Sequence, residues 1–425
     1  MSRPRRFGID LAPLRVSASY RRLYLYGAVG GLSAQATYFT VLYQLKNLTH
    51  STLGVGALGL VELVPMIVFG LYGGVIADHF NRRRVVIVAE AGMLITMIAL
   101  LVNARLAHPS VVVVYVVAAA LAACSGAQSP SLAAMTQQLV PHNLQRESST
   151  LQMIARTGGS ILGPAVGGLV AVASGPWVIY FVNVLTFAVT LVLLFGLRVE
   201  HVTIDSEGPS LNSLRTGARY AASRPDVLGT YVVDLIAMVF AFPVALLPFV
   251  ADGFHSHYAF AVLSCGLPVG ALLATLTSSW TASVHHYGRL VVISAVLWGL
   301  GIVLFGWAHS LTLAFIGLVI GGGADAVSGI FRMTLWNESI PLRVRGRMAG
   351  IEMLSYTVGP NAGQIRAGAM ASVMGNRGAL VVGGLVSLGG CAAVPLAMRS
   401  LWRFDARTDR HVAEVALERA NESFA

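Results

Sequence analysis

Long runs of mainly apolar residues, separated by short polar gaps, govern what this chain can fold into. They fall at roughly 20–46, 53–77, 85–106, 110–139, 148–172, 177–197, 227–251, 258–280, 289–308, 311–336, 348–371 and 378–398. A helix needs about 20 such residues to cross the hydrocarbon core of a bilayer, so each run reads as one crossing. The expectation is an all-α membrane protein with twelve transmembrane helices. Composition agrees, since 56% hydrophobic and 11% charged residues cannot clothe a water-soluble surface. An ordinary soluble enzyme is thereby excluded. The first run follows Arg3, Arg5, Arg6, Arg15, Arg21 and Arg22 with no small-residue cleavage site close behind a short hydrophobic core, so it is expected to stay as a span.

The net charge of +10 comes from 28 arginines and one lysine, Lys46. They gather at alternate gaps between the apolar runs. One side collects the N-terminus, Arg82 to Arg84, Arg146, the arginines of 198–224, Arg289, Arg343, Arg345, Arg347 and the C-terminal tail, while the other holds Lys46, Arg105 and Arg377. Positive flanks stay inside, which predicts a multi-pass protein of the inner or plasma membrane with both termini cytoplasmic. A continuous basic stripe for nucleic acid is not formed, so no nucleic-acid partner is expected. Cys124, Cys265 and Cys391 lie far apart inside apolar runs and form no CxxC pair, which points to neither a disulfide framework nor a zinc site.

The longest polar connection, 198–226, divides the chain. The domain reading is a cytoplasmic N-terminal segment 1–19, a six-helix bundle 20–197, a cytoplasmic central loop 198–226, a second six-helix bundle 227–398 and a cytoplasmic tail 399–425. A shift of 200 places aligns Pro141 with Pro341, Met153 with Met353, Thr157 with Thr357, Gly159 with Gly359, Gly163 with Gly363 and Gly168 with Gly368. Such duplication is expected where a central site opens alternately to either side.

The second run ends in Gly74-Val75-Ile76-Ala77-Asp78-His79-Phe80-Asn81-Arg82-Arg83-Arg84. This resembles the loop between helices two and three of the major facilitator superfamily, where glycine, aspartate and paired basic residues form a cytoplasmic gate. Here it implies Gly74, Asp78, Arg82 and Arg83. His79 and Asn81 depart from the usual arginine and glycine, and asparagine tolerates the left-handed turn a glycine would make. A lipid-surface anchor is the plainer reading of the arginines. The corresponding second-half segment, Ser283 to Arg289, lacks the aspartate.

The fifth run contains Gly159-Ser160-Ile161-Leu162-Gly163-Pro164-Ala165-Val166-Gly167-Gly168. It resembles the G-x-x-x-G-P-x-x-G-G motif of superfamily exporters that exchange substrate against protons, carried here by Gly159, Gly163, Pro164, Gly167 and Gly168. Small residues four apart allow close helix contact, and ordinary helix packing is the competing account. The fourth run lacks the arginine of many drug exporters, and the pattern is closer to the enterobactin-exporter-like group of bacterial exporters, actinobacterial ones among them. The resemblance implies the fold of two pseudo-symmetric six-helix bundles. Helices one, four, seven and ten would line the cavity, two, five, eight and eleven would form the seam, and the rest would face lipid.

Ionisable groups in hydrocarbon cost at least about 2.5–3.5 kcal/mol each and need a partner, a watery cavity or a function. Those within the runs are Glu62, Arg156, Asp234, Asp325, Arg332, Glu352 and Arg366, while Glu90 lies close enough to a run's end to reach water. Asp234 and Asp325 fall on the seventh and tenth runs and are the first candidates for a coupling proton. Arg332, two turns beyond Asp325, makes structural pairing an equal account there. Glu62, with Pro65 one turn on, could share a proton, and Arg156 and Arg366 could attract an anion or pair with acids. Tyr38, Tyr43, Phe240, Phe242 and Trp336 are candidate stacking surfaces, with plain packing the competing account. His255 and His257 form too sparse a pattern for a metal site, and no cofactor motif is found.

The expected function is a secondary transporter, not an enzyme, exporting small amphipathic molecules such as drugs, siderophores or other metabolites in exchange for protons. The alternatives are uptake by symport or facilitation on the same fold, and a polytopic membrane enzyme, for which the scattered histidines supply no constellation. The partners are a small-molecule substrate, protons and the lipid bilayer. Nothing requires a second subunit, so a monomer suffices.

Overall fold

The computed structural model describes residues 11–141, 144–197 and 211–424, and no strand occurs among them. After a short α1 (Ala12–Val16) come α2 (Ala18–Thr49), α3 (Thr52–His79), α4 (Arg82–Arg105), α5 (Val111–Leu139), α6 (Gln145–Ser174) and α7 (Pro176–Phe195). Then follow α8 (Leu211–Ser223), α9 (Pro225–Ala241), α10 (Leu247–Ala251), α11 (Ala259–Leu276), α12 (Tyr287–Trp307) and α13 (Leu311–Ser339). The chain closes with α14 (Leu342–Ala397), α15 (Arg399–Arg403) and α16 (Arg410–Phe424). Of the central connection, 198–210 lie outside the described residues and 211–223 are helical, where a loop is the sequence expectation.

Among the described residues, ten helical segments are long and apolar enough to cross a bilayer. Two features separate this from twelve apolar runs. The 32-residue α2 is not among the ten. It carries Ser33, Thr37, Thr40 and Gln44, all buried, and the Ser33 and Thr37 hydroxyls meet the Asn183 amide of α7. Its polar groups are thus satisfied inside the protein instead of facing lipid. The second feature is Ser355–Ala397, one segment of 43 residues whose backbone is broken at Gly375.

Gly375 has φ 78° and ψ 163°, a conformation open essentially to glycine alone. Gly175, 200 residues earlier, turns from α6 into α7 at φ 89° and ψ 159°. The internal repeat read from side chains therefore recurs in backbone geometry.

The chain forms two compact units, Met1–Val41 with Pro65–Gly208, and Leu42–Val64 with Pro209–Ala425. In the first, α4 packs on α5 and α7. Leu23, Tyr26, Val86, Met135, Leu194 and Leu197 form a buried apolar cluster there. The last carbonyls of α7 run out of helical donors, although Leu194 O still accepts from Leu197 N at 3.1 Å. Arg83 supplies two, Nε at 3.2 Å from Leu194 O and Nη2 at 2.6 Å from Phe195 O, and Arg22 donates to Gly196 O. In the second unit α12 packs on α13 and α14, α11 on α13, and α9 on α14. Segment 42–64 packs within it: Tyr43 stacks on Phe260 with centroids 5.7 Å apart, Lys46 Nζ lies 2.6 Å from Asp252, and Thr52 donates to Gly368 O at 3.0 Å.

Prolines break two helices of this unit in one manner. Phe242 and Ile340 are extended, as residues before proline tend to be, and α9 and α13 end just before them. Pro243 and Pro341 lack the N–H that would reach the carbonyls four residues back, Val239 and Asn337. Arginines take the vacant places. Arg366 Nε donates to Val239 O at 3.0 Å, and Arg419 Nη2 donates to Asn337 O and, at 2.8 Å, to Ile340 O. Ser339 O accepts from Tyr220 of α8 at 3.1 Å and lies 3.1 Å from His411 Nε2 of α16. Arg366 is thus a carbonyl donor, where attracting an anion or pairing with an acid is the sequence expectation.

Arg366→Ala is expected to lower stability by about 1–3 kcal/mol, the usual result of leaving a buried polar group unpaired. In the Pro243→Ala background, where position 243 regains its N–H, the same change is expected to cost less. Thermal unfolding of the four proteins in detergent checks this; equal losses in both backgrounds would show that Arg366 acts elsewhere.

Candidate functional site

Three of the sequence candidates meet in the second unit. Asp234 projects from α9, and Asp325 and Arg332 lie on the same face of α13, seven residues apart. Arg332 Nη1 is ion-paired with Asp234 Oδ1, and Nη2 lies 3.6 Å from Asp325 Oδ1. The basic partner of Asp234 therefore comes from another helix. The two carboxylates differ in setting: the Asp234 side chain is 5% exposed and that of Asp325 is 41% exposed. Asp234 is enclosed with the guanidinium, while Asp325 keeps part of its side chain exposed.

Trp336 and Glu352, together with Ser355, Tyr356, Tyr231 and Thr230, which the sequence reading does not single out, complete the cluster. Ser355 Oγ donates to Asp234 Oδ2 at 2.9 Å, and the Arg332 guanidinium sits over the Tyr356 ring at 5.6 Å. Tyr231 stacks on Trp336 with centroids 4.8 Å apart, and Trp336 Nε1 donates to Thr230 Oγ1 at 2.8 Å. Trp336 is consequently pinned and buried, whereas Tyr356 keeps an exposed face. The Glu352 carboxylate interacts electrostatically with the Tyr231 and Tyr356 hydroxyls. Arg332 Nε and the Tyr231 hydroxyl are buried with no hydrogen-bond partner. Counted at full ionisation, Asp234, Arg332 and Asp325 sum to one negative charge, which one proton on Asp325 would cancel.

The remaining candidates stand apart from this cluster. Glu62 is half-buried on α3 and forms no ion pair with a described residue, and Arg156 is exposed on α6. Gly74 and Asp78 fall in the last turns of α3, but their side chains lie outside the described residues. Arg82 is half-buried with Nη1 unpartnered, and Arg83 is committed to the α7 carbonyls. Asn81 corrects one expectation. Its backbone is extended, φ −60° and ψ 114°, not left-handed, and its side chain caps α4 by accepting from Arg83 N at 3.1 Å and Arg84 N at 3.4 Å. Among the described residues no group of three or more His, Cys, Asp or Glu side chains is gathered as a metal site would need.

The glycine strip of α6, with Pro164 inside that helix, packs against α2 in the first unit. A Cβ at Gly163 would stand 2.5 Å from Gln35 Cβ and 2.9 Å from Leu32 O, and one at Gly167 would meet the Ala36 carbonyl oxygen. Gly159 approaches Leu32 N within 3.2 Å of such an atom. In the second unit Gly359 and Gly363 meet Met238 of α9 in the same way, so the echo in sequence is also an echo in packing.

A family model described as transmembrane secretion effector matches residues 9–422. Similar curated proteins include the enterobactin exporters EntS of Shigella boydii serotype 18 and Escherichia coli O81. Each is 27% identical over 368 residues, covering 86% of this chain and 88% of the relative. Among solved structures, the nucleoside transporter NupG superposes with a TM-score of 0.71 at 14% identity, covering 91% of this chain and 100% of that one. The inward-open xylose transporter XylE from E. coli gives 0.68 at 14% identity, covering 94% and 99%. At these identities the structures establish likeness of fold alone.

Two measurements test the geometry. Asp234→Ala is expected to cost about 3–5 kcal/mol, because it strands a buried guanidinium, while Asp325→Ala, half-solvated, is expected to cost less than about 1 kcal/mol. Gly167→Val is expected to cost about 1–3 kcal/mol by overpacking against α2, whereas Gly158→Ala, with nothing within 4 Å, is expected to unfold like the unsubstituted protein. Unfolding curves in detergent rank all four.

Proposed function

Since the chain belongs to the transmembrane secretion effector family of the major facilitator superfamily, we propose that it is a secondary transporter of the cell membrane that exports small amphipathic molecules in exchange for protons. The family is one of multi-pass membrane transporters. Export, and siderophore-like compounds within that substrate class, are supported by similarity to the enterobactin exporters. The observation that carries the proton-coupled reading is the shared guanidinium: Arg332 lies between one buried and one open carboxylate.

The chemistry follows from charge counting. With Asp325 protonated the triad of Asp234, Arg332 and Asp325 carries no net charge, Glu352 being outside this count, and the triad can be enclosed at little electrostatic penalty. With Asp325 ionised one negative charge is left over, which costs at least about 2.5–3.5 kcal/mol to surround with hydrocarbon. A proton thereby biases which of two conformations is favoured, and that differential is what a gradient can drive. Substrate has Tyr356, Arg332 Nε and the Tyr231 hydroxyl as polar or stacking contacts in this cluster. Glu62 and Arg156 are assigned auxiliary places in the substrate pathway.

The same proposal includes twelve crossings, counting α2 and taking the two arms of α14 on either side of Gly375 as separate spans. The bundles are 20–197 and 227–398, joined by the cytoplasmic connection 198–226, with segments 1–19 and 399–425 also cytoplasmic. The arginine distribution supports this orientation. Gly74, Asp78, Arg82 and Arg83 form the cytoplasmic gate, the strip from Gly159 to Gly168 is the antiporter helix, and a monomer is the working unit.

In proteoliposomes with an imposed pH gradient, Asp325→Asn is expected to reduce gradient-driven flux about tenfold or more, since ~1.4 kcal/mol of lost bias already corresponds to tenfold. Normal gradient-driven transport by both Asp325→Asn and Asp234→Asn would refute the coupling assignment. Depletion, not accumulation, of a radiolabelled siderophore in energised cells tests the direction.

A further inference from the structure

Glu90 contradicts the expectation that it reaches water at the helix end. It lies eight residues into α4, about 12 Å along the axis, and is 1% exposed. Three carboxyls are buried among the described residues: Glu90, Asp226 and Asp234. Asp226 is held by Arg224 at 2.5 Å and Asp234 by Arg332. Glu90 has no ion-pair partner among the described residues. Its neighbours are hydroxyls: Tyr26 Oη of α2 lies 2.9 Å from Oε2, and Thr190 Oγ1 of α7 lies 2.5 Å from Oε1.

Among the described residues no charged group faces it from the surrounding helices. Neither α5 nor α7 carries an Asp, Glu, Lys or Arg. From α5 come Gln128 and, beside Gly92, the Cys124 thiol. On α2 the nearest cation in sequence is Arg22, one turn before Tyr26, and on α4 it is Arg84, with Arg83 one residue earlier. Arg22 and Arg83 are turned to the α7 carbonyls. The apolar cluster of Leu23, Val86 and Leu194 is built from the same helix ends.

Proton counting then decides the state. The Tyr26 hydroxyl has one proton and two acceptors in reach, Glu90 Oε2 and Gln128 Oε1 at 3.1 Å. Gln128 Nε2 is directed at Met93 Sδ, 3.7 Å away, which leaves its oxygen for the phenol. An ionised Glu90 would take the phenolic proton and strand the buried Gln128 oxygen, besides burying an unpaired charge. A protonated Glu90 relieves that conflict: Oε2–H donates to Tyr26 Oη, Tyr26 donates to Gln128 Oε1, and Thr190, whose one proton also has the Thr186 and Phe187 carbonyls 3.0 Å away, lies closest to Glu90 Oε1.

We propose that Glu90 is a proton-binding site of the first unit, occupied at neutral pH within the hydrogen-bonded chain Thr190–Glu90–Tyr26–Gln128 and exchanging its proton with water in a conformation of the transport cycle that opens this chain. Its role in the cycle rests on the proton-coupled reading above; its occupancy does not. Release turns the Tyr26 hydroxyl to Glu90 and breaks its bond to Gln128, so the proton governs the link between α2 and α5, while Tyr26 and Thr190 go on donating to Glu90.

The test uses the full chain in lipid. Glu90→Gln preserves the geometry, its amide donating to Tyr26 and accepting from Thr190, so it is expected to fold as the unsubstituted protein does. Infrared spectra at neutral pH are expected to contain a protonated-carboxyl stretch of which one component disappears in Glu90→Gln and shifts in Tyr26→Phe. In proteoliposomes Glu90→Gln is expected to lose most of the stimulation of flux by a pH gradient. Identical carboxyl spectra for the unsubstituted protein and Glu90→Gln would overturn the proposal, as would an undiminished response of Glu90→Gln flux to the gradient. A flux indifferent to the gradient in the unsubstituted protein would instead overturn the coupled reading itself, and the two failures are told apart because the spectra need neither substrate nor gradient.

Discussion

Hydrocarbon supplies no hydrogen bonds, so each polar group carried into a bilayer must find its partner within the protein. That requirement explains the unusual preference for arginine. A guanidinium has five donors in a rigid fork, enough to serve two carbonyls at once. Arg83 spans Leu194 and Phe195, Arg419 spans Asn337 and Ile340, and Arg366 reaches Val239 and, at 3.3 Å, Ala379. Arg377 donates to Ala308 O just beyond α12 at 2.6 Å. Arginine thus closes helix ends in this protein.

The same requirement sorts the acids. Asp226 and Asp234 are matched by arginines, and Glu90 by a chain of hydroxyl and amide groups. Of the two acids that meet Arg332, Asp325 is the one with a substantially exposed side chain. A carboxyl that exchanges its proton with water directly is served by such exposure, whereas one enclosed like Glu90 can release its proton only when its surroundings part. The two acids thus differ in burial, not in residue type.

Much of this was legible in the sequence, because apolar runs, small-residue spacing and arginine placement are local signals. The glycine strip at 159–168 and its echo at 359–363 do approach neighbouring helices closely. What escaped was long-range. The pairing of Asp234 with Arg332 joins positions 98 residues apart on separate helices, and no periodicity within either helix reveals it. Glu90 was misread because distance from a helix end says nothing about which neighbours seal that end. Asn81 was read by its tolerance for a left-handed turn, while its side-chain oxygen, a better cap than glycine offers, decided its conformation. The buried polar residues of α2 lowered its apolarity, yet only their contacts with α7 show why a helix of that composition is stable.

The arginine that answers a proline across space binds two distant positions into one hereditary unit. Pro243 without Arg366 leaves a thirsty oxygen at Val239, and Arg366 without Pro243 leaves a guanidinium with one task fewer in a greasy setting. Neither change alone is a neutral step. Descendants of this chain should therefore gain or lose the two residues together, and so should Pro341 and Arg419, making each pair a correlated trace that an evolutionary record of the family would carry.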